Sequence, residues 1–162
     1  MKNKLEIYIQ DRYAKDVIKQ ARRNLNTPGF GGQVKGRKKS NTGRLENSLG
    51  FSIAIKGTEI IINFVSSVDY AAIVEEGRAK GAKMPPATPI DAWVVKRNLK
   101  GTRGADGRFT SRKSLVFAIR RKISKEGIPA VPFFGEAMDK VWDESTEGFL
   151  NALVENTSDI LI

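Results

Sequence analysis

Three carboxylates lie close together near the middle of the chain: Asp69, Glu75 and Glu76. Such groups can hold a divalent metal and cleave phosphodiesters, as nuclease carboxylates do. Their spacing argues against that chemistry. No acid-x-Lys pattern accompanies them, and adjacent residues on a helix point about 100° apart, so Glu75 and Glu76 cannot easily share one ion. They are expected to flank a helix end or to pair with Arg78. A second candidate, Gly31 to Lys38, has the outline of a phosphate-binding loop. That loop needs Lys and then Ser or Thr directly after its second glycine, with a strand before it and a helix after it. Arg37 and Lys38 stand at those positions and no strand precedes them, so no nucleotide site is expected. The chain has no histidine and no cysteine. That excludes Ser-His-Asp triads, thiol nucleophiles, His general bases and Cys- or His-ligated metals. No catalytic residue, cofactor or metal is expected, and the chain reads as a non-enzyme.

The strongest remaining signal is charge. The formal net charge is +10 and it is segregated. Residues 1–95 carry net +7, residues 96–125 carry eleven basic side chains and one acidic, and residues 126–162 carry one basic and eight acidic. A basic middle of this kind either faces DNA, RNA or an acidic partner surface, or is a set of solvated loops with the acidic tail packed near them. Alternatively, the basic middle of one subunit meets the acidic tail of the next, and such head-to-tail contacts build rings. The two basic loops, residues 28–44 and 99–113, hold only Phe30 and Phe109 as aromatics, so base stacking is poorly supported and phosphate contact without sequence readout is what remains.

The elements that must position these charges follow from periodicity. At 162 residues the chain suits a single α+β domain. Leu5, Ile7 and Ile9 alternate as in a short strand, although Ile9, Tyr13, Val17 and Ala21 fall at helical spacing. A helix is expected from Asp11, as its cap, to Leu25, ended by Pro28 and Gly29. Residues 28–44 read as a mobile basic loop carrying Arg37, Lys38 and Lys39. Leu49 to Lys56 and Thr58 to Val65 alternate as an antiparallel hairpin turning at Gly57. Asp69 to Glu76 is a short helix stopped by Gly77. Pro85-Pro86 sets an extended loop, and Thr88 caps a helix whose core face is Ile90, Trp93 and Val94. Residues 99–113 form a second mobile basic loop with Arg103, Arg108 and Arg112. A helix follows over 114–125, with Arg120, Arg121 and Lys122 outward, and the acidic segment 133–162 is helical, with Gly148 as a candidate break. The expected fold is α+β: a small antiparallel sheet with a central hairpin, packed against several helices. No apolar run nears the ~18 residues that span a bilayer, and the N-terminus lacks the apolar stretch of a secretory signal, so no membrane partner is expected.

The order of several short segments is more specific than any one of them. Thr42-Gly43-Arg44-Leu45-Glu46-Asn47-Ser48-Leu49 precedes the hairpin. Tyr70-Ala71-Ala72-Ile73-Val74-Glu75-Glu76-Gly77-Arg78 follows it. Met84-Pro85-Pro86 leads to Ile90-Asp91-Ala92-Trp93-Val94, and Gly127-Ile128-Pro129 and Pro132-Phe133-Phe134 come late. Over roughly residues 42–138 this order resembles the head–tail joining and tail completion proteins of long-tailed bacteriophages and prophages. The resemblance implies a structural virion protein of the neck or tail, assembled in the host bacterial cytoplasm, that forms a ring with copies of itself, often a hexamer. Its neighbours would be head-completion or adaptor proteins and tail-tube or tail-terminator proteins, with packaged DNA touched non-specifically. In that picture Tyr70, Glu75, Gly77, Arg78, Pro85, Pro86 and Trp93 are interface or structural residues. Arg37, Lys38, Lys39, Arg103, Arg108 and Arg112 face DNA or an acidic partner. The alternatives are a basic nucleic-acid-binding module without a virion role and, behind it, a metal-dependent nuclease.

Overall fold

A computed structural model describes residues 4–32, 43–56, 59–102, 107 and 110–158. It is α+β, with helices and one two-stranded antiparallel sheet. The chain divides into two compact units, one made of residues 1–76 and 130–162, the other of residues 77–129.

The first unit begins with α1 (Lys4–Tyr8), a π-helical turn (Ile9–Tyr13) and α2 (Ala14–Asn26). Tyr8, Tyr13 and Ala14 at the joints keep right-handed helical dihedrals, so the three run on as one helix. The strand reading of Leu5, Ile7 and Ile9 is therefore corrected. Ile9 is buried while Ile7 is exposed, which is the pattern of a helix face. Asp11 is also not the cap. It lies inside the π-helical turn, where its carboxylate accepts from Lys15 Nζ at 2.7 Å. Thr27 turns extended ahead of Pro28 and ends α2.

Gly43 has φ +70°, and α3 (Arg44–Asn47) follows it. Leu45 is buried, and the Ser48 hydroxyl lies 2.6 Å from the Leu45 carbonyl and 2.7 Å from the Ser66 hydroxyl. The Gly-x-Leu-x-x-Ser segment is thus a helical turn that pins the open end of the hairpin. Strands β1 (Leu49–Lys56) and β2 (Glu59–Ser66) pair with Phe51 opposite Phe64, Ile53 opposite Ile62 and Ile55 opposite Ile60. The strand bounds are those expected for β1 and lie one residue later for β2; the turn at Gly57 lies outside the described residues.

After β2 comes α4 (Ala71–Glu76), two residues later than expected, and the unit closes with α7 (Gly135–Ser158). Helix α7 runs through Gly148 without a break. A Cβ there would stand 3.0 Å from the Tyr8 ring, so this glycine serves close approach of the first helix. The core joins Val17, Ile18, Ala21 and Leu25 of α2 to Leu45, Leu49, Val68, Phe133, Ala137 and Val141. Phe51 and Phe64 of the hairpin pack against it, and Phe64 lies 5.9 Å from Phe134, centroid to centroid.

The second unit holds α5 (Ala87–Lys96) and α6 (Arg112–Glu126), which pack together. Its ends meet in a two-way bridge: Arg78 N–H donates to the Ile128 carbonyl at 2.7 Å, and Ile128 N–H to the Arg78 carbonyl at 2.9 Å. The N-cap of α5 is Pro86, not Thr88, with Pro86 extended at ψ 147°. Helix α6 starts two residues earlier than expected, because Ser111 Oγ accepts the Ser114 N–H at 3.2 Å and caps it there.

Candidate functional site

Glu75 sits at the end of α4, and both its oxygens face the start of α7. Oε2 accepts the Phe134 N–H at 2.9 Å and Oε1 accepts the Gly135 N–H at 2.8 Å. A helix start leaves such N–H groups without partners and carries positive dipole, so a carboxylate is the matched cap. The pairing of Glu75 with Arg78 is corrected: the acid closes a different helix, 59 residues away in sequence. Both oxygens are occupied by main chain, and among the described residues no group of three or more acidic side chains is placed to hold a metal ion. Tyr70 and Ile73 project from the same region and are exposed.

Asn24 was not legible as a site residue, yet it is the one buried polar side chain among the described residues. It donates to the Phe133 carbonyl at 3.0 Å and accepts from Gln20 at 2.8 Å, tying α2 to the turn before α7. Its signal was a short amide between the apolar positions Ala21 and Leu25 of a helical stripe. Tyr13 stacks edge-on against Trp142 with ring centroids 6.0 Å apart, and burial, aided by Asp139, raises its phenol above the usual tyrosine range.

Within the second unit, Gly77 has φ +77° directly after α4, as expected of a helix stop. The Arg78 guanidinium donates to the Lys83 carbonyl. Arg120 Nε donates to the Pro85 carbonyl at 2.7 Å, and Gly81 N–H donates to the Ser124 carbonyl at 2.7 Å. The Pro85-Pro86 loop is thereby fastened to α6. Arg120 was expected to point outward; it is half-buried because the loop carbonyl recruits it. Trp93 was expected on the core face with Val94. Val94 is buried, but Trp93 is 41% exposed.

The cations divide. Arg112 is not in a loop: it opens α6, and its Nε lies 2.9 Å from Asp91 Oδ1 of α5. Residues Arg37, Lys38, Lys39, Arg103 and Arg108 lie outside the described residues. The expected loop over 28–44 is also shortened at its start, since Phe30–Gly32 forms a 3-10 turn whose Gly31 abuts Val131. The described cationic cluster is instead on α2. Lys15, Lys19, Arg22 and Arg23 rim a groove of about 700 Å³ whose floor is Ile18, Leu49 and Phe51. Their spacing of four, three and one places them along one side of the helix. The row is outnumbered in the sequence by the cations of the loops, and its own signal is the i, i+4 spacing of Lys15, Lys19 and Arg23.

No helix among the described residues is long and apolar enough to cross a membrane. Comparison with family models, with curated proteins and with solved structures returns no match to this chain.

Proposed function

We propose that the chain is a structural joint of a tailed-phage particle, a tail completion or neck component that works by fitting between copies of itself and neighbouring particle proteins. The observation that carries this reading is apolar surface left uncovered in both units. Trp93, Val95, Leu99 and Phe117 are exposed in the second unit, and Trp142, Leu150, Leu153 and Val154 on α7. Scattered apolar residues on a monomer need no explanation, but Trp142, Leu150, Leu153 and Val154 recur along successive turns of one helix, which is the mark of a surface that binds protein. The order of short segments from Gly43 to Phe134 supports the same reading, as does the separation of basic and acidic blocks. In this reading the joint transforms no substrate, and its place is between the head-side adaptor and the tail. Negative-stain microscopy of the purified chain at high concentration tests it: rings are expected, and a field of single small particles counts against it.

A second reading is favoured by one observation, the row Lys15, Lys19, Arg22 and Arg23 on a chain of net charge +10. A row of this kind can follow a phosphate backbone. Duplex DNA binding by the monomer, with a steep linear fall in log affinity against log salt, would support it.

A further inference from the structure

The groove beside α2 is bounded on its other side by a sheet edge. Ser67 N–H donates to the Ser48 carbonyl at 3.3 Å, and the register sets residue 48 opposite residue 67. In an antiparallel ladder, residues directly opposite that share a hydrogen bond alternate with residues that turn their main chain outward. Phe51, Ile53 and Ile55 therefore aim their N–H and C=O groups away from β2, and among the described residues the sheet has no further strand on that side. Among the described residues no main-chain partner from outside the sheet meets these groups. Phe51 both belongs to this edge and lines the groove. An open apolar edge of eight residues is a template for another strand. The groove thus offers alternating main-chain donors and acceptors, an apolar floor and a cationic rim. A phosphate backbone would satisfy only the rim. An extended segment that is aliphatic and acidic satisfies all three.

The chain carries such a segment. After Lys140 it has no basic residue, and Ser158 is followed by Asp159-Ile160-Leu161-Ile162, an acid and three residues suited to a strand. Its own groove is out of reach. Glu155 of α7 lies against Lys4, at 3.7 Å, at the far end of the first helix. From Lys4 to Lys15, the nearest groove residue, is roughly 16 Å at 1.5 Å per residue, and the floor at Ile18 lies beyond it. Four extended residues span at most about 14 Å, and they start from Ser158, nearly another helical turn past Glu155. We infer that Asp159–Ile162 of one copy adds as a strand along the β1 edge of a second copy, with its carboxylate among Lys19, Arg22 and Arg23. The inference rests on the assembly reading and names the contact that builds it. The donor and acceptor surfaces differ, so the contact is head-to-tail and closes into a ring when the rotation permits.

Two variants and their mixture test this by light scattering. A chain ending at Ser158 keeps the groove and lacks the strand; a Lys19→Glu/Arg23→Glu chain keeps the strand and loses the central cations. Each alone should self-associate at least tenfold more weakly than the full chain. Mixed, they should form a one-to-one dimer that grows no further. A labelled peptide of residues 153–162 titrated into the chain ending at Ser158 asks the same question without the charge-reversed variant. It should bind, and more weakly as salt rises. A chain ending at Ser158 that assembles like the full one overturns the inference and leaves the assembly reading standing. A full chain that stays monomeric at every concentration overturns both. An unbound peptide overturns the inference, and so does duplex DNA that displaces a bound one more effectively than unlabelled peptide does.

Discussion

Among the described residues, the unit of 1–76 and 130–162 buries ten apolar side chains in one cluster, with Phe133 and Leu25 wholly enclosed. Among its described residues the unit of 77–129 buries two, Val94 and Val116, and is held instead by main-chain and Arg-to-carbonyl hydrogen bonds at its loop and ends. Hydrogen bonds of this kind contribute about 1 kcal/mol each, whereas a buried aromatic contributes several times that. The first unit therefore has the core of an independent fold. The second is fixed in shape by its fastenings and leaves Trp93, Val95, Leu99 and Phe117 outward. The joint proposed above would use both: a firm body, and a surface that presents apolar side chains to a neighbour.

The comparison can be broken at its strongest point first. Phe133→Ala should cost about 3–5 kcal/mol, because the ring is fully buried and stacks on Phe134 at 5.0 Å. Chemical denaturation should show the loss as a lower midpoint at an unchanged slope. Glu75→Ala should cost about 1–3 kcal/mol, since two N–H groups at the start of α7 lose a charged acceptor. Glu75→Gln, which retains one acceptor, should recover part of it.

The second unit is probed through its glycines. Gly127 has φ +75°, and a Cβ there would run into the Arg78 carbonyl, whereas a Cβ at Gly81, φ +80°, meets nothing within 4 Å. Gly81→Ala should cost about 1–2 kcal/mol from the left-handed backbone alone, and Gly127→Ala more. Hydrogen exchange should quicken in α5 and α6 for Gly127→Ala and leave the core of the first unit protected. The smallest effect is Arg112→Ala. Its pair with Asp91 is exposed, so the change in melting free energy should stay within about 1 kcal/mol.

How much of this was legible in the sequence depended on whether the deciding forces were local. The hairpin was readable because strict alternation of Phe51, Ile53, Ile55 and of Ile60, Ile62, Phe64 marks two strands that each have an apolar face. Helix α2 and the acidic C-terminal helix were readable from apolar spacing. Leu5 to Ile9 was ambiguous because a five-residue window holds both periods; packing of Tyr8 on Ser145, through a 3.0 Å hydrogen bond, decides it. Thr88 looked like a cap because local preference cannot see that Pro86 already starts the helix. The role of Glu75 was invisible for a related reason: its partners are remote in sequence. Arg112 and Arg120 read as free surface cations until tertiary structure gave them Asp91 and the Pro85 carbonyl. The groove was missed because half of it is a strand edge, which is a property of pairing and not of composition.

The central claim is that the molecule acts by assembling, and its mass in solution tests this most directly. Light scattering of the full chain across a hundredfold range of concentration should show a monomer of 17.9 kDa giving way to a plateau at a fixed integer multiple, as a closed ring requires. A mass that stays at 17.9 kDa throughout contradicts the account.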